Sequence, residues 1–160
     1  MTDVYFYRVI RSSTERTLLN LLQRATDTGF RVLVRASEWS RIRQLDEYLW
    51  LFDDETFLPH GVAGTENESH QPVLLTATEG NPNRAGMLVH VEGCPLDLVR
   101  IASFERVRVI FDGKDPDQLD TARRDWKAVT EAGVQAVYWT DESGKWAEVV
   151  RKDATAAQAG

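Results

Sequence analysis

The sequence predicts an α/β fold: a three-layer α/β/α domain on a largely parallel sheet of five to seven strands, closed by a C-terminal β-hairpin. Three observations carry this. Short runs of β-branched and aromatic residues alternate with longer stretches of three- and four-residue apolar periodicity, the βαβ order of a parallel sheet. Near the C-terminus that order breaks, and two strand-like runs flank the turn signal Glu142-Ser143-Gly144. The 160 residues are 42% hydrophobic and 28% charged, enough for one domain with a core of its own and no metal or disulfide to staple it.

Val4 to Ile10 is the first strand, loosely alternating and aromatic. Ser12, Ser13 or Thr14 caps the next helix, and Glu15 stands where a capping-box partner of Ser12 belongs. Leu18, Leu19, Leu22 and Ala25 form its buried stripe, and Gly29 ends it. Phe30 to Val34 is a second strand, and Ser37 caps a helix running to Trp50 with Ile42, Leu45, Leu49 and Phe52 on one face. Trp50 lies off that stripe on the side of Trp39. Phe57 follows the acidic break Asp53-Asp54-Glu55, and Pro59 keeps Leu58 extended. Trp50 and Phe57 therefore stand near a surface rim, where either core closure or a partner surface accounts for them.

A polar loop is expected from Gly61 through His70, then a strand from Val73 to Thr78 and a turn over Glu79-Gly80-Asn81-Pro82-Asn83. Met87 to Val91 is the next strand, and Pro95-Leu96 opens a single helical turn. From Phe104 to Phe111, Val107, Val109 and Phe111 point one way and Arg106 and Arg108 the other. Asp115-Pro116 begins the last helix, with Leu119, Ala122, Trp126 and Val129 as its stripe and Gly133 as its stop. Val134 to Thr140 and Lys145 to Val150 make the hairpin. One domain over residues 1–150 is expected, with 151–160 a frayed tail.

Charge and composition exclude several classes of function. The net charge of −6 argues against a domain that grips duplex DNA unaided, which needs a basic face to displace counterions. Acidic residues crowd positions 46–55 and 112–120, while Arg100, Arg106, Arg108, Arg123, Arg124 and Lys127 gather in the second half. A basic patch in an acidic whole suits a small acidic partner. No apolar run approaches a membrane span, the start lacks a signal-peptide pattern, and lone Cys94 forms no internal disulfide, so a cytoplasmic protein without membrane contact is expected.

Catalytic and cofactor chemistry finds little footing. The loop Arg11 to Arg16 has no glycine for a phosphate cradle, and Ser143-Gly144-Lys145 sits in a hairpin turn with no helix after it. His60, His70 and His90 lack metal-ligand spacing, and Cys94 lacks a base nearby in sequence. No metal, cofactor or catalytic residue is expected, which leaves a small nucleotide- or phosphate-using enzyme as the rival reading on fold alone. One constellation does suggest binding. Arg123 and Lys127 are one helical turn apart, with Trp126 on the adjoining stripe. Such a ledge fits a peptide with acidic groups, a terminal carboxylate and a bulky apolar end; equally, Trp126 fits a core position beside solvated cations.

Leu45-Asp46-Glu47 through Phe57-Leu58-Pro59-His60, with Tyr5-Phe6-Tyr7, Gly29 to Val34, Gln71 to Leu75, Ala122 to Lys127 and Ala132-Gly133, resembles the chi subunit of bacterial DNA polymerase III over roughly residues 4–149. The resemblance implies a Rossmann/P-loop-like topology without a nucleotide site, and a non-catalytic accessory of the replicative polymerase. It implies that Arg123, Trp126 and Lys127 bind the acidic C-terminal tail of single-stranded DNA-binding protein, although the family's aromatic is a Tyr in its familiar form. It also implies that Trp50 and Phe57 face psi, another clamp-loader component or a repair helicase. Contact with DNA would then be indirect, through tethering to the clamp loader.

Overall fold

The computed structural model describes residues 1–51 and 58–155. Its strands are β1 (Asp3–Val9), β2 (Val32–Arg35), β3 (Gly61–Val62), β4 (Val73–Thr76), β5 (Met87–Val91), β6 (Arg106–Asp112), β7 (Gln135–Thr140) and β8 (Ala147–Lys152). Its helices are α1 (Thr14–Asp27), α2 (Trp39–Leu51), α3 (Leu98–Ile101) and α4 (Pro116–Glu131), with one 3-10 turn at Glu68–His70. The strands form one sheet of eight in the order β3-β4-β2-β5-β6-β1-β7-β8, all parallel except the β7–β8 hairpin. The three-layer α/β/α expectation stands, with one strand more than the upper count predicted.

Two apolar layers hold the sheet between helices. On one face Leu18 and Leu22 of α1 and Ile42, Leu45 and Leu49 of α2 pack on Val32, Val34, Val89 and Ile110. On the other, Ile101 of α3 and Ala122 and Val129 of α4 pack on Phe6, Leu88, Val107 and Phe111. Inner strands β2, β4 and β5 are buried throughout, as central strands of a doubly covered sheet must be.

Local chemistry sets the helix ends. Ser13 caps α1, its Oγ accepting from the Arg16 N–H at 3.1 Å. Asp115 caps α4 through Oδ1 to the Asp117 and Gln118 amides, and Pro116 occupies the first turn, where its missing N–H costs nothing. Beyond α4, Gly133 takes φ +77°, a left-handed value that a side chain resists.

Several boundaries differ from expectation for physical reasons. The capping box does not form, because Ser13 rather than Ser12 is the cap, which puts Arg16 at the partner position and leaves Glu15 to pair with Arg41. The second strand starts at Val32 rather than Phe30, whose ring instead lies under the Arg106 guanidinium. Ser37 does not cap α2: the first amides donate to the Glu38 carbonyl, and the Ser37 hydroxyl turns to Cys94. Strand β4 stops at Thr76, whose hydroxyl accepts from the Thr78 N–H and turns the chain. The loop after His60 contains β3 and the 3-10 turn. Asp97, not Pro95, starts the short helix by capping Val99 and Arg100. The closing strand begins at Ala147 and runs to Lys152, and the Thr155 N–H still donates to the Gly133 carbonyl at 3.0 Å.

Candidate peptide-binding site

In an open parallel sheet, ligands usually sit beyond the strands' carboxyl ends, so that edge comes first. After β1 the chain turns into α1 with the amides of Ile10, Arg11 and Ser12 directed at one point. A carboxylate occupies it. Asp141, just past β7, accepts from Ile10 and Arg11 at Oδ1 (2.6 and 3.1 Å) and from Ser12 at Oδ2 (2.7 Å). Burial raises its pKa, but these amides win and hold the carboxyl below its ordinary value. The amides that would cradle a phosphate here are thus taken by the chain's own acid.

Next to it lies a polar cleft of about 260 Å³ between Ser13, Arg41, Glu92 and Lys114. Its Arg41 is held by both Glu15 and Glu92, so its charge is already neutralised. Farther along the edge, buried Arg35 donates to the Thr78 and Gly80 carbonyls and meets His90 Nε2 at 3.2 Å. His90 Nδ1 donates to the Cys94 carbonyl at 3.0 Å. Both ring nitrogens of His90 are thus engaged within the fold. Among the described residues no group of three His, Cys, Asp or Glu side chains is placed to hold a metal, and no helix is long and apolar enough to cross a membrane.

The ledge on α4 borders a different feature, a cleft of about 400 Å³ lined by Arg123, Trp126, Tyr138, Val149 and Val150. Trp126 is half-buried. One side packs edge-on against Phe6 (5.5 Å between centroids) and Tyr138 (5.8 Å), while the other faces the cleft. Tyr138 also stacks on Phe6 at 6.4 Å, which fixes the cleft floor to the core. Its burial raises the phenol pKa against the opposing pull of Arg8 and Arg123, which places both cations within electrostatic range of the hydroxyl.

The far wall belongs to the hairpin. Tyr138 pairs with Val150, and a register shift between Tyr138 and Trp139 leaves Val149 unmatched. Val149 is 60% exposed and Val150 39%. Lys127 stands apart, exposed, with Nζ 4.0 Å from Glu131 Oε1 and no share in the cleft lining. The structure therefore joins Arg123 to Trp126 and adds three residues that helical spacing does not reveal: Tyr138, Val149 and Val150.

Trp50 ends α2 on the opposite face of the sheet. It is 49% exposed, with its ring 4.3 Å from the His60 ring. The buried His60 donates from Nδ1 to the Leu58 carbonyl at 2.8 Å, and its Nε2 lies 3.2 Å from Asp46 Oδ1 without an aligned hydrogen bond. Phe57, expected beside Trp50, lies outside the described residues.

These features define a doubly wound α/β domain whose phosphate position is filled by its own carboxylate, with an apolar, arginine-edged cleft behind its last helix. The model of the DNA polymerase III chi subunit family, HolC, matches residues 1–137, and the chain belongs to that family. It is 25% identical over 104 residues to the probable DNA polymerase III subunit chi of Rickettsia prowazekii, covering 61% of this chain and 62% of the relative. It is 32% identical over 95 residues to the DNA polymerase III subunit chi of Pseudomonas aeruginosa, covering 57% and 65%. The chain thus spans less than two thirds of these curated relatives. In fold alone it is similar to the C-terminal domain of a possible DNA helicase from Lactobacillus plantarum WCFS1, at 8% identity, TM-score 0.52, and 75% and 80% coverage.

Proposed function

We propose that this chi-family chain serves DNA replication as a non-catalytic cytoplasmic adaptor, seating the acidic C-terminal tail of single-stranded DNA-binding protein in the α4–β7–β8 cleft. The observation that carries this reading is the cleft itself: an arginine beside a floor of Trp126 and Tyr138. A peptide end brings a carboxylate for Arg123 and a bulky apolar side chain for the floor. Lys127, one turn on, serves acidic residues farther up the tail through solvent. By fixing the coated strand to the clamp loader, the domain raises the local concentration of one at the other without new contacts. The chemistry favours this over a nucleotide-using enzyme, because Asp141 occupies the amides that a phosphate needs.

Titrating a synthetic tail peptide tests the seat. Val149→Asp, at an exposed position, should weaken binding about tenfold or more while leaving the melting temperature nearly unchanged. Arg123→Ala should weaken it and flatten its salt dependence, and amidating the peptide should do the same. Equal binding of amidated and free-acid peptides by all three proteins would show that the tail goes elsewhere. Thermal melting with ATP, GTP or NAD tests the rival, since a native-state ligand must raise the midpoint.

The second docking surface, for psi, another clamp-loader component or a repair helicase, centres on Trp50, with Phe57 as its proposed companion. Half-exposed Trp50 changed to Ala should cost about 1 kcal/mol or less in stability, well below the 3–5 kcal/mol of a core Trp, yet abolish capture of a clamp-loader component. A large stability loss with capture intact would return Trp50 to the core.

A further inference from the structure

Behind the sheet, on the face away from α4, helix α1 stops short of covering β7 and β8. The uncovered area is aromatic: Tyr5 meets Trp139 at 6.5 Å and Tyr7 meets Trp146 edge-on at 5.5 Å. Along α1 runs a groove in two parts that share Tyr7, Leu21 and Arg24. One part, about 420 Å³, reaches Thr17, Asn20 and Trp146. The other, about 230 Å³, reaches Thr28, Arg106 and Arg108. Arg108 is buried over the Tyr5 ring (3.9 Å) and bonded to Asp3 at 2.7 Å, so its charge is spent. Arg24 forms no ion pair among the described residues, and neither does Arg106. Among the described residues, Asp27 is the one carboxylate on the lining.

We propose that this groove binds a short stretch of single-stranded nucleic acid, with phosphates at Arg24 and Arg106 and a base against Trp146 and Tyr7. Flat rings interleaved with arginines suit any base and read none. The groove follows a helix about 21 Å long, more than one nucleotide fills, which favours a strand over a free mononucleotide. The site lies on the opposite face from the α4 cleft and does not depend on it.

The test is fluorescence anisotropy of a labelled oligothymidylate of about twelve nucleotides, at about 0.02 M and 0.15 M salt. Two phosphate contacts give a log–log salt slope of about −1.4, a loss of affinity of about fifteenfold across that range. Arg24→Ala should bring the slope to about −0.7, and Trp146→Ala should weaken binding about tenfold at both salts. Tail-peptide binding should be unchanged in both variants. The proposal fails if wild type does not bind the oligonucleotide at low salt, or if the variants bind it like wild type. It fails also if an acidic peptide displaces the strand, which would make the groove a peptide site, or if dTMP binds as tightly as the strand.

Discussion

Asp141→Ala should lower unfolding free energy by about 3 kcal/mol, a loss measurable as a shifted urea midpoint at pH 7. The carboxylate takes three amides at once, and hydrogen bonds to a charged group contribute about 1.5–3 kcal/mol each when their partners are deprived of water. The loop between β1 and α1 is only part-buried, so water recovers some of that. Because the folded pKa is held below the ordinary 3.8, the contribution is present above that value and lost as pH falls through and below it. Wild type and variant should therefore converge only under acid conditions. The vacated amides also form an anion seat. Inorganic phosphate should raise the melting temperature of the alanine variant and leave wild type nearly unmoved. Matching urea midpoints for the two proteins would mean that the carboxylate merely decorates the loop.

His90 and Asp125 should tilt stability in opposite directions between pH 4 and 6.5. Burial lowers the His90 pKa to about 4; the Cys94 carbonyl opposes this and the Arg35 charge adds to it. A histidine depressed in this way stabilises the fold fully above its unfolded value of about 6.5, and the contribution is lost as pH falls towards 4, about 3 kcal/mol in all. Asp125, on α4, is raised to about 6 by burial, with long bonds from the Leu96 amide (3.3 and 3.4 Å) opposing. Its charged form destabilises the fold above pH 6 and the cost vanishes as the carboxyl protonates, again about 3 kcal/mol. Wild type should thus show a flat profile in this range. His90→Gln should be less stable at pH 7 and should gain stability as pH falls, since only Asp125 then titrates. Asp125→Asn should be more stable than wild type at pH 7, with the advantage gone by pH 4. Parallel profiles for all three proteins would show that neither group is buried in the way described.

The elements most legible in sequence are those with strong internal periodicity. Leu18, Leu22, Ile42, Leu45 and Leu49 mark α1 and α2 because a helix must bury one stripe, and β5 is delimited by turn residues on both sides. Strand β3 is two residues, too short to alternate. The end of β8 carries Arg151 and Lys152 on a strand exposed along its whole length, so no apolar signal marks where pairing stops. At the α4 cleft, Arg123 and Trp126 show in helical spacing. Tyr138, Val149 and Val150 do not, because only the hairpin register and its bulge bring them to α4. Asp141 was equally invisible: its partners lie about 130 residues away, and nothing local in Thr140-Asp141-Glu142 reports them.

The placement of β1 has a consequence for synthesis. Asp3 pairs with Arg106 on one side and Gln135 on the other, so the strand in the middle of the sheet is translated long before either neighbour. At about 5–20 residues per second, its apolar run from Val4 to Tyr7 waits roughly 5–20 s before β6 exists to receive it. Until then the nascent chain carries an unpaired, β-prone segment, the kind of exposure that holdase chaperones cover. Fragments ending before β7 would leave that strand with one open edge, and should accumulate as aggregates rather than as smaller folded domains.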